Sequence, residues 1–545
     1  MKTPSPYLGS ILCHWEERNS QRPRMRVANL IFKFLKSALV SLFLVLSIAT
    51  ATNSTAFDNQ KLNTGCDRQV YPKGWVAKEN AKKGDSHWED LVSNSQKGTV
   101  SGWFDKTSVS CGDLVGLHLS GNNRPVTIKI YRMGYYNGTH ARLVYVKSIG
   151  SVPTASPPSI ASDATHLTST SWPTSATIKI DASYPTGVYL ARFDDGGKAG
   201  YTPLIVRSNT TTTGMLIVEA DLTWEAYNTY GGWSLYHGPH AGVYSPGRMA
   251  SFDRPYDRDG KSNFTIYDAG IVQTAETLGL DVSYTDDLAV NRNPSSVLNH
   301  TAIIYSGHTE YWTAMMLAAA YSARDHGVNL IFLGANSAYW RTRLESNDRT
   351  VVVWKGNVGD PYVNNPGMIT NKWGENPTPF NQSQLLGALY GGILASPVFY
   401  VVQGANAWPI KGTGLKTGDV IAGVVGKEVE TTDIGQGPPL ESFLTSKVVS
   451  IDDPHTWTIG LTYYTTVSGA GVVDVGTMGW VCNITNTCSW KSTADAKTKV
   501  QVIAITKEIL TAAAAGPLGI SHPEVSNIPT RTVLEPICIS ECHKP

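Results

Sequence analysis

The sequence lacks the short motifs that mark the most common hydrolase and nucleotide sites. It has no HExxH zinc motif and no GxSxG nucleophile elbow. Its Gly-Lys-Ser triplet at residues 260–262 does not complete a phosphate-binding loop, because Pro255 stands where that loop needs its first glycine. These absences exclude the zinc proteases, serine hydrolases and P-loop enzymes that such motifs define.

Charge is also scarce in this chain. Only 16% of the residues are charged, and 45 Lys and Arg against 44 Asp and Glu leave a net charge of +1. Nucleic acids and anionic membrane surfaces attract proteins with a strong basic excess. We therefore expect neither as a partner. The 50 glycines, 25 tyrosines and 15 tryptophans favour a loop-rich globular protein with β structure.

No apolar run is long enough to predict a membrane-spanning helix. The apolar stretch at residues 38–51 falls short of the roughly 18–20 residues that a bilayer requires. Two lysines precede it and it ends in Ala-Thr-Ala, a pattern typical of a secretory signal peptide. We predict a signal peptide over residues 1–51, with Met25 as an alternative start, and a secreted, extracellular protein. An uncleaved anchor is the competing interpretation.

Cysteine is sparse, and none of the seven cysteines forms a CxxC pair, which argues against a structural zinc site. Removing the signal leaves six cysteines, an even number that favours disulfides in an exported chain. Loop lengths predict the pairs Cys66–Cys111, Cys482–Cys488 and Cys538–Cys542, with buried free thiols as the alternative. Asn-x-Ser/Thr sequons predict a glycoprotein if the source is eukaryotic.

Residues 98–210 predict a first domain of antiparallel β structure. Short alternating runs such as PVTIKIYRM and GVYLARF are separated by Gly, Pro, Asn and Asp. This spacing is typical of a β-sandwich with about seven or eight strands. Immunoglobulin-like and lectin-like topologies are both compatible with it. Residues 52–97 show no sustained period and are interpreted as an N-terminal extension.

Residues 214–530 alternate apolar strands with helices and predict a doubly wound α/β domain. Within it, the stretch 302–345 contains two apolar runs closed by glycines, with a helix predicted between them over residues 312–326. Open α/β sheets place ligand sites at the carboxyl ends of such strands. The polar residues at those ends are Ser306, His308, Glu310, Asn336, Ser337 and Arg341. Residues 531–545 are interpreted as a polar surface tail.

Three motifs around this unit resemble a known family. SGHTEYWT at 306–313, FLGANSAYWRTRLE at 332–345 and TWEAYNTYGGWSLY at 223–236 are similar to the large-subunit domain of N,N-dimethylformamidase. The resemblance runs from about Ser101 to about Val481. It implies an amidohydrolase built on a glutamine-amidotransferase-like α/β domain, with a mononuclear ferric ion (Fe³⁺) held by two tyrosines and one glutamate.

The resemblance also implies where the metal ligands lie. They map onto Glu310, onto Tyr189 in TGVYLARF, and onto one tyrosine of AYNTYGG. In that last motif we prefer Tyr230, because two glycines follow it, and keep Tyr227 as the second choice. Phenolate and carboxylate are hard anionic oxygens suited to ferric iron. The alternatives are tyrosines that bond buried backbone carbonyls and a glutamate that caps a helix.

Four further residues are assigned catalytic roles. His308 and Asn336 would stabilise an oxyanion, and Lys355 and Glu428 would transfer protons. Lys355 matches a family lysine, whereas Glu428 in GKEVE resembles a Gly-x-Glu pattern only weakly. Asn336 stands at an elbow-like turn where a glutaminase would carry its cysteine, so a thiol acyl-enzyme is not expected. The alternatives are a structural core role for His308 and an ion pair with Asp360 for Lys355.

Together these observations predict a secreted metal-dependent amidohydrolase that cleaves a carbon–nitrogen amide bond by metal-activated water. The expected partners are a small amide substrate and either a second copy of the chain or a small second subunit. The competing hypothesis is a non-catalytic secreted or surface protein that retains the fold and binds a glycan or another ligand.

Overall fold

The protein mixes helices and strands, with 22% helix and 34% strand, which confirms the predicted α/β content. The computed structural model describes residues 65–529 apart from 67–68, 90–99, 197–198, 209–213, 241–244, 357–358, 376–379, 434–435, 453 and 491. Contacts divide the chain into residues 1–63 and 64–545, and all the described residues belong to the second unit. The predicted signal peptide, C-terminal tail and Cys538–Cys542 pair lie outside the described residues.

The first half of the described chain forms two sheets around a shared apolar core. One sheet has the order β1-β3-β8 and the other β2-β10-β9-β4-β5, and all neighbours are antiparallel except β2 and β10. A separate pair is formed by β6 and β7. The strands are β1 Ser101–Phe104, β2 Ser108–Ser110, β3 Leu114–Ser120, β4 Arg124–Met133, β5 Ala141–Val152, β6 Ser159–Ile160, β7 Thr168–Ser169, β8 Thr174–Lys179, β9 Gly187–Asp194 and β10 Ala199–Arg207.

Strand β9 is buried along almost its whole length because both of its faces are covered. Tyr189, Ala191 and Phe193 face the core between the two sheets. Val188 and Leu190 face a second core, which they share with Met215 and Ile271 of the following region. The five-stranded sheet is therefore a middle layer of the molecule. For this reason β9 does not alternate between buried and exposed residues, as a strand with one face in solvent would.

The second half of the chain is organised around one 11-stranded sheet. Its path is β13-β11-β14-β16-β26-β25-β24-β21-β22, and β20 and β23 attach beside it. The first five strands on this path are parallel, whereas the last four are antiparallel. The strands are β11 Met215–Glu219, β13 Val282–Asp286, β14 Ala302–Gly307, β16 Asn329–Gly334, β20 Leu389–Ile393, β21 Val398–Val402, β22 Val420–Val425, β23 Glu428–Thr431, β24 Glu441–Val449, β25 Thr456–Thr465 and β26 Gly471–Asp474.

Helices cover both faces of the parallel strands, so those strands are buried at every position. In β14, for example, Ile304 faces one core and Ile303 the other. The helices are α1 Trp75–Asn80, α2 Asp221–Tyr227, α3 Ser262–Tyr267, α4 Ala269–Thr277, α5 Asp287–Arg292, α6 Ala314–Asp325, α7 Ser383–Leu386, α8 Gly479–Thr485, α9 Ala496–Ala515 and α10 Leu518–Ser521. Short strands complete the fold at β12 Met249–Ser251, β15 Tyr311–Trp312, β17 Trp340–Arg341, β18 Arg343–Glu345 and β19 Thr350–Val352.

Helix α6 lies between β14 and β16, close to the range predicted from the sequence. Thr313 caps it by accepting a 3.2 Å hydrogen bond from the Met316 amide. Beyond its end, Gly327 has a φ of 87°, which permits the turn into β16. The cap and the glycine set where α6 starts and stops, and thereby set the two loops that leave the strands.

The two disulfides predicted within the described residues are present. Cys66 bonds Cys111 and Cys482 bonds Cys488. The first joins the segment before β1 to the turn after β2, and the second closes a short loop after α8. Among the described residues there is no helix of the length and apolar character needed to cross a membrane.

Candidate functional site

The loop after β14 carries Glu310, and its backbone is fixed from both sides. The amides of Glu310 and Tyr311 donate to Thr223 Oγ1 of helix α2 at 3.0 and 3.2 Å. The Glu310 carbonyl accepts from the amides of Tyr339 and Trp340, each at 3.0 Å, in the loop after β16. The carboxyl ends of both strands thus meet at one buried glutamate, which is 1% exposed.

Two phenols and one imidazole converge on the Glu310 carboxylate. The Tyr227 hydroxyl donates to Oε2 at 2.7 Å, and the Tyr236 hydroxyl donates to Oε1. His308 Nε2 lies 3.3 Å from both Glu310 Oε2 and the Tyr227 hydroxyl. The two tyrosine rings stack with centroids 4.5 Å apart. We call Glu310, Tyr227, Tyr236 and His308 the oxygen cluster.

Burial and mutual charge determine the protonation of this cluster. Burial, together with the charge of Glu310, raises the pKa of Tyr227 and of Tyr236 well above the ordinary value of a phenol. Burial alone would also raise the pKa of Glu310, but hydrogen bonding to His308 and its charge hold that pKa below its usual value. Burial lowers the pKa of His308, but Glu310 and Glu428 raise it, and the pKa lies above its usual value. These interactions therefore favour the ionised form of Glu310, the protonated form of His308 and the neutral form of both phenols.

Lys355 lies directly above Tyr236. Its Nζ is 3.2 Å from the centroid of the Tyr236 ring and 4.9 Å from that of Trp340. The Nζ atom is buried and has no hydrogen-bond partner among the described residues. Burial lowers the pKa of Lys355 to about 7, although the charge of Glu310 opposes the shift. Asp360 instead bonds Arg343 and Thr370, so it does not form the alternative ion pair with Lys355.

Asn336, in the loop after β16, is hydrogen-bonded to Glu428. Asn336 adopts a φ of 60°, and its Nδ2 donates to Glu428 Oε2 at 2.8 Å. The remaining amide oxygen, Asn336 Oδ1, is buried with no partner among the described residues. Burial raises the pKa of Glu428 to about 7, with the nearby charge of His308 opposing the shift. A glutamate of this kind can take up and release a proton near neutral pH.

A second carboxyl pair supports the turn that presents Asn336. Glu430 Oε1 accepts from the Ser337 amide at 2.9 Å, and Asp474 Oδ1 accepts from the Gly476 amide at 2.9 Å. Burial raises the pKa of both acids, and the charge of Glu430 raises the pKa of Asp474 further. A pair of this kind is stable when the two groups share one proton. Glu430 and Asp474 therefore act on the site through the position of Asn336.

The structure brings together Tyr227, Glu310, His308, Lys355, Asn336 and Glu428, but it does not place Tyr189 with them. Tyr189 projects from β9 into the core between the two sheets, where its hydroxyl donates to the Pro185 carbonyl at 2.6 Å. Adjacent residues of β9 face opposite cores, and Tyr189 lies on the face that points away from the α/β region. The mapping of an iron ligand onto Tyr189 is corrected on this ground.

The preference for Tyr230 over Tyr227 is also corrected. Helix α2 ends at Tyr227, and Tyr230 lies in the following turn with its ring edge against Trp172, at a centroid distance of 6.2 Å. Tyr236 is the residue that the sequence did not single out. It lies nine residues after Tyr227 within the same motif, and the Leu235 amide bonds the Ala226 carbonyl at 2.9 Å, so the chain folds back. The signal in the sequence that could have pointed to Tyr236 is therefore its place at the end of the motif at 223–236.

The donor atoms of the oxygen cluster suit a hard trivalent cation. No group of three or more His, Cys, Asp or Glu side chains within the described ranges could hold a metal ion. Tyr227, Tyr236 and Glu310 nevertheless offer three oxygens that become anionic ligands when the phenols lose their protons. Both phenol oxygens already bond the Glu310 carboxylate, Tyr227 at Oε2 and Tyr236 at Oε1, so the three side chains present their oxygens at one place. The residues present therefore fit ferric iron.

Comparison with known proteins gives one extended match. A family model described as "N,N-dimethylformamidase beta subunit-like, C-terminal" matches residues 127–491. No curated protein sequence matches the chain. Among solved structures, domain 1 of VCBP3 from Branchiostoma floridae is 12% identical and covers 22% of this chain and 100% of its own, with a TM-score of 0.14. That low score means that the likeness carries no argument about fold or function.

Proposed function

This chain belongs to the N,N-dimethylformamidase beta subunit-like family, and from that premise we propose that it is a secreted, iron-dependent amidohydrolase. Membership of the family points to amidohydrolase-type chemistry on a small amide. The observation that carries the proposal is the convergence of Tyr227, Tyr236 and His308 on the buried carboxylate of Glu310. A buried carboxylate surrounded by hard donors at strand ends is a site for chemistry more than for packing.

Tyr227, Tyr236 and Glu310 would hold the ferric ion through their oxygens. Iron held there would supply Lewis acidity toward the amide carbonyl and toward water. Although burial lowers the pKa of His308, Glu310 and Glu428 raise it, and the protonated imidazole would stabilise negative charge that develops on the carbonyl oxygen. Asn336 is oriented through its bond to Glu428, with its own amide oxygen left to accept a hydrogen bond from the substrate nitrogen or from water.

Two groups with a pKa near neutrality would move the protons. Glu428, whose pKa burial raises to about 7, would accept the proton of the attacking water at its carboxylate. The new bond joins the water oxygen to the carbonyl carbon, and the bond that breaks is the one to nitrogen. Lys355, whose pKa burial lowers to about 7, would donate a proton from its Nζ to the departing amine.

The architecture supports two further assignments. We assign the two sheets from β1 to β10 to a β-sandwich domain, since they enclose one apolar core, and the region from β11 onward to a glutamine-amidotransferase-like domain. The boundary would fall near residues 210–214. The two disulfides support an oxidising, extracellular location. The family description as a beta subunit favours assembly with a second, smaller subunit.

Hydrolysis of simple amides by the iron-loaded protein tests the function. The full chain, supplied with ferric iron, is expected to release dimethylamine from N,N-dimethylformamide or ammonia from acetamide. Glu310→Gln is expected to abolish that release because it removes the central anionic ligand. Glu345→Gln is the matched control, since Glu345 pairs with Arg343 at 36% side-chain exposure. No release of dimethylamine or ammonia from these amides would favour the non-catalytic binding protein, whereas equal activity in Glu310→Gln would show that hydrolysis does not depend on the Glu310 carboxylate.

A further inference from the structure

Four half-buried aromatic residues surround the polar groups of the site. Glu310, His308, Asn336 and Glu428 are buried, whereas these four rings keep part of their surface in solvent. The four residues therefore offer exposed aromatic surface to a ligand beside the buried polar groups. We call the four residues the aromatic rim: Tyr267, Tyr339, Trp340 and Tyr390.

The rim is attached to the same backbone segments as the polar groups. The amides of Tyr339 and Trp340 donate to the Glu310 carbonyl, each at 3.0 Å. Tyr390 lies in β20 opposite Glu430 of β23, the strand that begins with Glu428. The ring of Tyr267 lies 5.6 Å from that of His308. Any group held by the rim is therefore held at a fixed position relative to the oxygen cluster.

Three rings of the rim, those of Tyr339, Trp340 and Tyr390, form a corner. Tyr339 and Trp340 have centroids 5.1 Å apart and planes at 84°, and Tyr339 and Tyr390 have centroids 5.0 Å apart and planes at 55°. A planar ring placed in such a corner meets the face of one residue and the edge of the next, which is the arrangement that aromatic pairs favour. Formamide and acetamide have no group that could occupy this position.

Two lysine amines, those of Lys372 and Lys355, lie beside the rim. Lys372 Nζ lies 5.6 Å from the Tyr339 centroid and 6.0 Å from the Trp340 centroid. The same Nζ lies 3.1 Å from Glu375 Oε1. Because Lys372 already has an anionic partner, it gives the rim no unpaired charge that would attract an acidic ligand. Lys355 Nζ, 4.9 Å from the Trp340 centroid, instead lies against the ring of Tyr236, which bonds Glu310.

We propose that the aromatic rim binds a neutral aromatic substituent of the amide, so that the preferred substrates are N-aryl amides and aroyl amides. The identity of the bond cleaved rests on the proposed function, whereas the binding of the ring rests on the geometry of the rim. Tyr339 and Tyr390 contribute to specificity through contact with the substituent, at a distance from the atoms that react.

Binding measured without turnover tests the rim. Calorimetry on the full chain is expected to show acetanilide binding at least about tenfold more tightly than acetamide. Tyr339→Ala is expected to reduce the ratio of the two affinities about tenfold, corresponding to about 1.4 kcal/mol for one lost ring contact. Tyr390→Leu provides an independent second variant. Tyr135→Ala, which alters a half-buried tyrosine of the first region, should leave the ratio unchanged.

Equal affinities for acetanilide and acetamide, or an unchanged ratio in folded Tyr339→Ala and Tyr390→Leu, would overturn the proposal. Hydrolysis separates it from the proposed function. Tight binding of acetanilide with no hydrolysis of any amide would leave the rim standing and refute the amidohydrolase. Hydrolysis of acetamide and acetanilide with equal kcat/KM would support the amidohydrolase and refute the rim.

Discussion

Breaking the buried ion pair between Arg132 and Glu276 is predicted to destabilise the protein by about 3–5 kcal/mol, because one charge would remain buried without its partner. Arg132 lies in β4 of the five-stranded sheet and Glu276 in helix α4 of the α/β region. Both side chains are 0% exposed, and Arg132 Nη2 lies 2.6 Å from Glu276 Oε1. The pair therefore links the two halves of the fold.

The substitution Glu276→Gln preserves the volume and isolates the charge. The two carboxylate oxygens accept four hydrogen bonds, of which two come from Arg132 at 2.6 and 3.0 Å. The others come from the Tyr284 hydroxyl at 2.8 Å and from Asn80 Nδ2 at 2.9 Å. A glutamine can accept only at its oxygen, so its amide group would face donors that have lost their acceptor. This loss adds to the cost of the uncompensated guanidinium.

Urea unfolding followed by tryptophan fluorescence measures the effect. Asp348→Asn is the control, because it breaks the 2.9 Å pair with Arg292, whose side chain is 52% exposed. Such pairs contribute at most about 1 kcal/mol. The reasoning is refuted if Glu276→Gln lowers the free energy of unfolding by no more than this control does.

Three further predictions follow from the contacts described above. Although burial opposes the shift, Arg132 lowers the pKa of Glu79 from 4.5 to about 2. Glu79 should therefore add about 3 kcal/mol to the free energy of unfolding above roughly pH 4.5, and this contribution should be lost as the pH falls toward 2. Glu79→Gln should flatten this acid dependence of the free energy of unfolding. Glu430→Gln and Asp474→Asn should each leave kcat largely unchanged, since an amide can replace the shared proton. The double variant should lower kcat with little change in KM, and equal kcat in all three variants would contradict this. Intact mass of the secreted protein should show loss of residues 1–51 and no free thiol, and a retained apolar run would argue for an anchor.

The sequence predicted the parts of the site that depend on local pattern. Apolar runs closed by glycines placed Glu310 and Asn336 after neighbouring strands, and parallel pairing of β14 with β16 brings those loops together. Cysteine spacing predicted Cys482–Cys488 because short loops close most readily, and it left Cys66–Cys111 as the remaining pair. These inferences need only the periodicity of strands and the reach of the chain.

The sequence could not predict which tyrosines meet Glu310. Strand β9 is apolar on both faces, so its pattern does not reveal which core Tyr189 enters. The approach of Tyr236 depends on the turn through Gly231 and Gly232, with φ values of 83° and 99°, which returns the chain to helix α2. Tyr230 lies within that turn and faces Trp172. Contacts made by a reversal of this kind are fixed by tertiary packing, which local pattern does not encode.

Titration of the full chain with ferric iron, followed by visible absorption, tests the central claim most directly, namely that Tyr227, Tyr236 and Glu310 form an iron site. We predict one iron per chain and a phenolate-to-iron charge-transfer band that is lost or strongly reduced in Tyr227→Phe and in Tyr236→Phe. Tyr230→Phe, the matched control from the same motif, should keep both the iron and the band. A protein that remains colourless and metal-free, or a band that disappears in Tyr230→Phe while persisting in the other two variants, would contradict the account.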